Sequence, residues 1–345
     1  TQHSIILMVG AVVVVFLHNV PYKWFQVFPV FLYPISLVLL AFVTLMGIIT
    51  GDRVNGAARW MTFMGLQFQP SELAKMAVII AVSFILSKRQ DEEGANPKAF
   101  KYIMILTGLV LLLIAPENLS TAMLLFGVVF MMMFIGRVAA KKLLLLAGGL
   151  VLIVALGVGT VVAIPAKTLH NTPGLHRLET WQNRIKGFFD KDEVPAAKFD
   201  IDKDAQIAHA RIAIATSHVV GKGPGNSIQR DFLSQAFSDF IFAIVIEEMG
   251  LIGGIFVVFL YLCLLMRAGR IAQKCERTFP AFLVMGIALL LVSQAILNMM
   301  VAVGLFPVTG QPLPLVSKGG TSTLINCAYI GMILSVSRYT AHLEE

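Results

Sequence analysis

GKGPGNSIQRDFLSQAFSDFIFAIVIEEMGLIGG, residues 221–254, joins a turn-rich segment to a long apolar run. Asp239 stands directly before the stretch from Phe240 to Met266, which is long and apolar enough to cross a bilayer. An ionised carboxylate next to hydrocarbon is costly, so a chain that keeps one at this depth pairs it or uses it. We therefore interpret Asp239 as a functional acid at a membrane boundary.

The apolar run carries small residues at helical spacing. On an α-helix, one face would hold Asp239, Ala243, Ile246, Gly250 and Gly253. Small side chains let a second helix approach closely, because they leave room between the two backbones. We expect this face to point into a helical bundle, within a single span over 240–266.

The composition is that of a membrane protein. Of the 345 residues, 57% are hydrophobic and only 14% are charged, against roughly a quarter charged in soluble domains. The mean hydropathy is +0.81. These values predict an all-α polytopic membrane protein, with residues 1–345 forming a single integral membrane domain. Apolar windows predict nine spans, at residues 4–20, 29–49, 71–87, 101–115, 119–136, 143–165, 240–266, 280–303 and 322–340.

The loops between the predicted spans differ in positive charge. Thirteen Lys and Arg fall in one alternating set of short loops, and the other set holds three: Arg53, Arg59 and Lys318. Cytoplasmic loops keep such cations, so the first set is predicted inside and Asp239 outside. The pI near 9.4 then follows from this asymmetry, and no nucleic-acid partner is inferred from it.

One connection is unusually long. Residues 166–238 are predicted to form a large extracytoplasmic loop with functional content. Apolar residues recur in it at spacings of three and four: Leu175, Leu178, Trp181, Ile185 and Phe188. The pattern fits an interfacial amphipathic helix and equally a helix docked on the top of the bundle. A second short helix is predicted from Gln206 to Ser217.

The outer loop 51–70 delivers Arg59 to the surface just before a helix predicted to begin at Pro70. Glu72 and Lys75 are three residues apart, so they can pair across one helical turn. Lys75 is then either a lysine that snorkels to the interface or a cation that lines an anionic pocket.

Four polar residues lie within the later spans. Glu247 and Glu248 would lie about 12 Å below Asp239, at a rise of about 1.5 Å per residue. Buried acids in a span mark function by default, but we favour a structural ion pair for these two. Gln294 and Asn298, one turn apart, are predicted to form interhelical hydrogen bonds.

The last outer loop, Gly304 to Ser322, is rich in Gly and Pro. Such backbone must be packed in protein or line a wet cavity, because lipid cannot satisfy its polar groups. Gly319 and Gly320 open the final span, and free amides at a helix N-terminus can bind phosphate. Lys318 adds a cation near this end.

Three ordered blocks of the sequence resemble the SEDS family, named for shape, elongation, division and sporulation. They are Asn55–Trp60 with Gln69–Lys75; Gly223–Ser227 with Ser238–Ala243, Glu247-Glu248 and Gly250; and Gly304–Gly310 with Leu313-Pro314 and Ser317–Ser322. The chain is most similar to the cell-division members, with the rod-shape members second. Family members have ten spans, so the resemblance implies that the first span and the natural start of the chain are absent here.

The resemblance implies a SEDS-type helical bundle that acts as a peptidoglycan glycosyltransferase, polymerising lipid II at the outer face of the bacterial cytoplasmic membrane. It would work at the division septum beside a class B penicillin-binding transpeptidase and other divisome proteins. Asp239 would be the catalytic carboxylate, supported by Glu72, Glu247, Glu248, Gln294 and Asn298. Substrate contacts are expected from Arg59, Lys75, Gln206, Asn226, Ser227, Lys318, Gly319 and Gly320. Arg and Lys or a divalent cation, Mg or Mn, would neutralise the departing lipid pyrophosphate.

Two other functions fit a polytopic membrane protein. A flippase would move lipid II across the bilayer without chemistry, and intramembrane charges are natural in transporters. A scaffold of the division machinery would account for the membrane fold but not for an acid kept at Asp239. The charged cluster at one face of the membrane, in a sequence without a visible repeat, favours the glycosyltransferase.

Overall fold

A computed structural model describes residues 2–50, 61–63, 66–91, 94–164, 182, 205–233 and 237–341. The helices are α1 Gln2–Asn19, α2 Phe28–Thr50, α3 Pro70–Lys88, α4 Pro97–Ile114, α5 Leu119–Ile135, α6 Ala140–Ala163, α7 Ala205–Ala215, α8 Ile241–Lys274, α9 Thr278–Ala302 and α10 Gly320–Ala341. Two short antiparallel hairpins accompany them: β1 Met61–Phe63 with β2 Leu66–Phe68, and β3 Gln90–Asp91 with β4 Gly94–Ala95. The predicted helical membrane fold is confirmed, and the hairpins are additions that the hydropathy pattern did not predict.

Apolar helices occupy the predicted span positions. Within the described ranges, seven helices are long and apolar enough to cross a membrane: α2, α3, α4, α6, α8, α9 and α10. The apolar stretches Ser4–Asn19 in α1 and Leu119–Ile135 in α5 are shorter. The count of nine spans stays a prediction, since the lengths alone do not decide whether α1 and α5 cross.

The chain divides into two compact units. The first comprises residues 1–152, 264–293 and 319–345, and the second comprises residues 153–263 and 294–318. The single membrane domain predicted over residues 1–345 stays a prediction.

In the first unit, α3 is the central helix and contacts α2, α4, α5 and α10. It is buried around nearly its whole circumference. The helices α1 and α10 pack closely, because Gly331 leaves room where a Cβ would lie 2.8 Å from Leu17 Cβ and 3.1 Å from the Val14 carbonyl oxygen. Small residues at a helix contact therefore do occur in this protein, as expected for membrane helices.

In the second unit, α8 is broken at Gly250, where φ is 72° and ψ is −173°. The backbone of residues 218–223 fills the break. Ahead of it, the carbonyl oxygens of Glu247 and Glu248 accept hydrogen bonds from the amides of Lys222 (3.0 Å) and Gly223 (2.8 Å). After it, the amides of Leu251 and Ile252 donate to the carbonyls of His218 (3.2 Å) and Val219 (3.3 Å). A polar break is tolerated at membrane depth because protein satisfies its backbone groups.

Glycine is required on both sides of this contact. A Cβ on Gly250 would lie 2.1 Å from the Val219 carbonyl oxygen, and a Cβ on Gly221 would lie 2.3 Å from the Gly250 amide nitrogen. The prediction of one unbroken span with Gly250 and Gly253 on the Asp239 face is therefore wrong. Gly250 admits a loop backbone, not a second helix, and the turn there takes Gly253 off the helical face that begins at Asp239.

Replacing Gly250 with alanine should destabilise the protein strongly. The conformation at Gly250 lies in a region open essentially only to glycine, and strain of this kind costs about 1–3 kcal/mol before the clash with Val219 is added. We expect a thermal unfolding temperature several degrees lower, measured on purified protein in detergent. Gly269→Ala is the matched control in the same helix, because a Cβ there meets nothing within 4 Å; it should leave the unfolding temperature unchanged or slightly raised. Equal effects of the two changes would contradict the assigned break.

The predicted topology can be tested by cysteine labelling. After Cys263, Cys275 and Cys327 are changed to serine or alanine, single cysteines are placed at Pro224 and Gln273, both of which are exposed. The excess of Lys and Arg in one set of loops predicts that position 224 is outside and position 273 inside. A membrane-impermeant thiol reagent on intact spheroplasts should label only the Pro224→Cys protein. Labelling of position 273 alone would invert the topology and place Asp239 in the cytoplasm.

Candidate active site

Asp239 lies just before the first turn of α8, and its side chain is half-buried. The hydroxyl of Ser238 donates a hydrogen bond to Asp239 Oδ1 over 3.0 Å. The main-chain carbonyl of Asp239 accepts a hydrogen bond of 2.9 Å from Asn298 Nδ2 in α9. Both contacts lie within the second unit, so the backbone that carries the carboxylate is fixed there while the side chain keeps access to solvent.

The loop 304–318 holds the two residues that precede Asp239. The amide of Lys318 donates to the carbonyl of Phe237 over 2.7 Å. The hydroxyl of Ser317 donates to the carbonyl of Ser238 over 2.6 Å, and it accepts from the amide of Leu313 over 2.7 Å. This Gly- and Pro-rich loop is therefore packed in protein, and it fixes the entry into α8.

Gln294 and Asn298 bind this same loop. Asn298 Nδ2 also donates to the carbonyl of Gln311 over 2.8 Å, and Gln294 Nε2 donates to the carbonyl of Pro312 over 3.0 Å. The hydroxyl of Tyr261 donates to the carbonyl of Pro314. These bonds join α9 to main-chain carbonyls of the loop and of Asp239. The interhelical hydrogen bonds predicted for Gln294 and Asn298 stay a prediction.

Glu247 is the anchor of the turn Gly223–Ser227. Its carboxylate is fully buried and accepts from Lys222 Nζ (2.6 Å), Ser227 Oγ (2.5 Å), the Ile228 amide (3.2 Å) and the Gln229 amide (3.3 Å). Hydrogen bonds to a charged group are the stronger kind, and Lys222 balances the charge. Glu247 thus holds residues 222–229 against the segment of α8 that precedes Gly250.

The turn packs against a short helix, α7, which precedes it in the chain. His209 Nδ1 lies 2.6 Å from Gln229 Oε1, and the His209 ring stacks on Phe232 at a centroid distance of 5.2 Å. At the same helix, the guanidinium of Arg211 lies against Gly304, where a Cβ would meet Arg211 Nη2 at 2.9 Å. His209 and Arg211 therefore connect the Glu247-anchored turn to the start of loop 304–318.

Several residues predicted to bind substrate are engaged within this framework. Ser227 is buried and gives its hydroxyl to Glu247, and Asn226 is exposed with its amide donating to the carbonyl of Lys222 over 3.1 Å. The Lys318 side chain is exposed. Gly320 begins α10 as predicted, and Gly319 supplies the carbonyl that accepts from the Thr323 amide over 3.0 Å. Their contacts with substrate stay predictions.

Glu72 and Lys75 form the predicted pair in α3, with 2.8 Å between Lys75 Nζ and Glu72 Oε1. Lys75 is 0% exposed, so it does not snorkel to the interface. The pair belongs to the first unit and Asp239 to the second. A substrate-binding role for Lys75 stays a prediction, and it requires that the ammonium become accessible.

Three predictions fall on residues outside those described. Arg59 is among them, and so is the side chain of Gln206, although α7 begins at Ala205, one residue from the predicted start. Of the predicted helix 175–188, only Gln182 is described.

Sequence reasoning missed Lys222, Ser317 and the 218–223 backbone as parts of the framework. Lys222 stands between two glycines, Gly221 and Gly223, which marked a turn but gave no sign of an ion pair with Glu247. Within the described ranges, no group of three or more His, Cys, Asp or Glu side chains could hold a metal ion.

Residues 1–342 match the family of cell cycle proteins named for FtsW, RodA and SpoVE. The chain belongs to this family. It is 33% identical over 338 residues to the probable peptidoglycan glycosyltransferase FtsW of Trichlorobacter lovleyi, covering 97% of this chain and 82% of that protein. The corresponding Geobacter sp. protein is 35% identical over 317 residues, covering 91% and 79%.

Solved structures show the same fold. One chain of a peptidoglycan synthase complex that coordinates polymerization and crosslinking aligns with this chain at a TM-score of 0.74 and 26% identity. The alignment covers 98% of this chain and 89% of that one. The rod shape determining protein RodA of Thermus thermophilus aligns with a TM-score of 0.65 at 24% identity, covering 98% and 86%. The SEDS resemblance and the SEDS-type fold predicted from sequence are confirmed.

Neutralising Glu247 should loosen the turn without unfolding the protein. In Glu247→Gln, the amide keeps the shape of the carboxylate but loses its charge, so Lys222 and the Ile228 and Gln229 amides lose their anionic acceptor. Such a loss costs about 1–3 kcal/mol, which corresponds to local opening about fivefold to more than a hundredfold more frequent. Hydrogen exchange should therefore accelerate over residues 222–232. Glu248→Gln is the control, because Glu248 contributes its main-chain carbonyl to the break and keeps it in the variant; exchange there as fast as in Glu247→Gln would refute the anchoring role.

Proposed function

We propose that this chain is a peptidoglycan glycosyltransferase that polymerises lipid II at the outer face of the cytoplasmic membrane. Family membership and the names of its relatives support the activity. The observation that carries the mechanism is the half-buried Asp239 carboxylate on a backbone held by Asn298, Ser317 and Lys318. A catalytic group must be placed within a fraction of an ångström, and rigid supports of this kind supply such placement.

In the proposed reaction, Asp239 acts as general base. It accepts the proton of the acceptor sugar hydroxyl as the oxygen forms a bond to the anomeric carbon of the donor. The bond between that carbon and the pyrophosphate oxygen breaks, and the electron pair leaves with the polyprenyl pyrophosphate. A single displacement needs no covalent enzyme intermediate, so one carboxylate is sufficient.

The departing pyrophosphate needs positive charge nearby. Exposed Lys318, next to the residues that fix Asp239, is one source, and Arg59 is another that the sequence predicts. A divalent cation, Mg or Mn, would supply the same neutralisation. Such an ion commonly binds through one or two carboxylates plus substrate phosphates; Asp239 could be one such carboxylate, and the described residues hold no larger ligand cluster.

We further propose that a transpeptidase of the class B penicillin-binding type is the partner and that the complex works at the septum. The structural neighbour from a peptidoglycan synthase complex supports a partner of this kind. The division role rests on the FtsW names of the relatives. Lipid II, as an anionic membrane lipid, fits an acid and cations placed at the membrane boundary.

One observation bears on the flippase alternative. Broken helices with free backbone ends are typical of transporters, where those ends hold the substrate. In α8, the carbonyls of residues 247 and 248 and the amides of residues 251 and 252 are bonded to residues 218–223. These four groups support the packing of the loop and are not available to hold a transported substrate.

The decisive variant is Asp239→Asn, which removes the base and keeps the shape. Full-length protein purified with its transpeptidase should make no glycan polymer from labelled lipid II, while its unfolding temperature and partner binding stay normal. Asp231→Asn is the control, because Asp231 is an exposed aspartate in the same connection, paired only with neighbouring Arg230 in the described structure; it should polymerise normally. Polymer made by Asp239→Asn at the normal rate would remove Asp239 from the mechanism, and loss of folding would make it a structural cap.

A further inference from the structure

The end of the first unit that carries the basic loops is ordered by hydrogen bonds between two connections. The β3–β4 hairpin between α3 and α4 meets the turn between α5 and α6, where the Ala95 amide donates to the Arg137 carbonyl over 3.2 Å and Gln90 Nε2 donates to the Gly136 carbonyl over 3.3 Å. The Asn96 amide also donates to the Arg89 carbonyl over 2.8 Å. The side chains on these loops are thus presented on a fixed backbone.

The two connections are strongly basic. Residues 88–101 and 137–142 together hold seven Lys and Arg against three Asp and Glu: Lys88, Arg89, Lys98, Lys101, Arg137, Lys141 and Lys142, against Asp91, Glu92 and Glu93. In the part of the chain that the structure describes, none of the seven cations is paired with a carboxylate. Asp91 instead accepts a hydrogen bond from Asn96 Nδ2. By sequence, positive charges therefore exceed negative charges by four in these two connections.

Three of these cations, Arg89, Lys98 and Lys101, lie near the N-terminal end of one face of α4. Lys98, Lys101 and Tyr102 lie within one helical turn and are exposed, and they share a face at helical spacing. The guanidinium of Arg89 lies over the Tyr102 ring, 4.3 Å from its centroid. A cation stacked on an aromatic ring is held in place while its outer N–H groups stay available. We refer to Arg89, Lys98 and Lys101, the three cations on or beside this face, as the α4 cation cluster.

The same face continues as apolar surface. Ile105, Leu109 and Leu112 follow Lys101 and Tyr102 at spacings of three and four, and they are 57%, 50% and 75% exposed. The opposite face of α4 is buried in the unit through Ala99, Ile103, Thr107, Val110 and Ile114. The exposed face of α4 therefore carries cations near its N-terminal end and a strip of apolar side chains along the turns that follow.

We propose that this face of α4 is a binding site for an anionic phospholipid, with the phosphate on the α4 cation cluster and an acyl chain along Ile105, Leu109 and Leu112. Basic clusters beside transmembrane helices recognise such headgroups, at roughly 1 kcal/mol, or about fivefold in binding, for each cation near the surface. An acidic protein segment would match the cations but not the apolar strip. A lipid matches both, so the lipid is the occupant that the geometry favours.

The test uses full-length protein in neutral detergent with added phosphatidylglycerol or phosphatidylcholine. Phosphatidylglycerol should raise the unfolding temperature and stay bound in native mass spectra, whereas phosphatidylcholine should do neither. Glycerol phosphate, which has the charge without the chains, should leave the unfolding temperature unchanged. The triple variant Arg89→Gln, Lys98→Gln, Lys101→Gln should bind phosphatidylglycerol at least about tenfold more weakly.

The control removes equal charge elsewhere. Arg267→Gln, Arg270→Gln and Arg277→Gln neutralise exposed cations at the C-terminal end of α8 and in the connection to α9, and this variant should bind the lipid as the unchanged protein does. Equal losses in both variants would show that net charge alone attracts the lipid and would overturn the site. Stabilisation by an acidic peptide without any effect of phosphatidylglycerol would overturn it in favour of a protein partner.

A gentler variant protects the test against misfolding. Lys98→Gln with Lys101→Gln removes two exposed side chains and leaves the Arg89 contact with Tyr102 in place. It should weaken phosphatidylglycerol binding several-fold at an unchanged unfolding temperature in detergent alone. The cysteine-labelling assay confirms that its topology is normal, and unchanged lipid binding in this variant would contradict the proposal.

Discussion

The buried carboxylate of Glu247 determines the arrangement of the second unit. A charge at this depth is tolerated only with full compensation, because an unpaired buried ion costs several kcal/mol. Lys222 supplies the charge, and Ser227 with the Ile228 and Gln229 amides supplies the remaining hydrogen bonds. Every one of these donors comes from the connection before α8. The acid therefore ties that connection to the helix, and the glycines at 221 and 250 let the two backbones meet.

Asp239 therefore lies at the start of a short helical segment that is fixed at both ends. The segment of α8 ahead of the break, Ile241–Met249, is held at its start by Asn298, Ser317 and Lys318, which bind the backbone of residues 237–239. At its other end it is held by the Glu247 contacts and by the amides of Lys222 and Gly223. Such a segment cannot slide or rotate freely, so the carboxylate at its start has a defined position. Positional accuracy of this kind is what a general base requires.

The sequence predicted the fold well where a local rule governs it. Apolar windows located the long helices to within a few residues, apart from the C-terminal end of α8, which runs on to Lys274. Pro70 marked the start of α3. The three-residue spacing of Glu72 and Lys75 identified a pair that lies within one helical turn. The site was harder, because its contacts join residues far apart in the chain. Glu247 and Lys222 are 25 positions apart, and Ser317 is 79 positions from Ser238. No periodicity encodes such contacts. The break at Gly250 could not be predicted either, because a glycine in an apolar run is as typical of helix packing as of a break.

The two ion pairs, Glu72–Lys75 and Glu247–Lys222, also differ in whether the partners are near or far apart in the sequence, and this difference explains their roles. The Glu72–Lys75 pair is closed within one turn of α3 and is sealed in the core of the first unit. Removing one partner would leave an uncompensated charge there, so the pair persists wherever α3 is helical and buried. The Glu247–Lys222 pair exists only when a distant turn is folded against α8, and Lys222 remains partly exposed. The first pair therefore depends on the core alone, whereas the second reports whether the outer framework around Asp239 is assembled. The connection that carries Asp239 is positioned by the second kind of contact, because a loop on a rigid scaffold is held by the charges and hydrogen bonds that the helices provide.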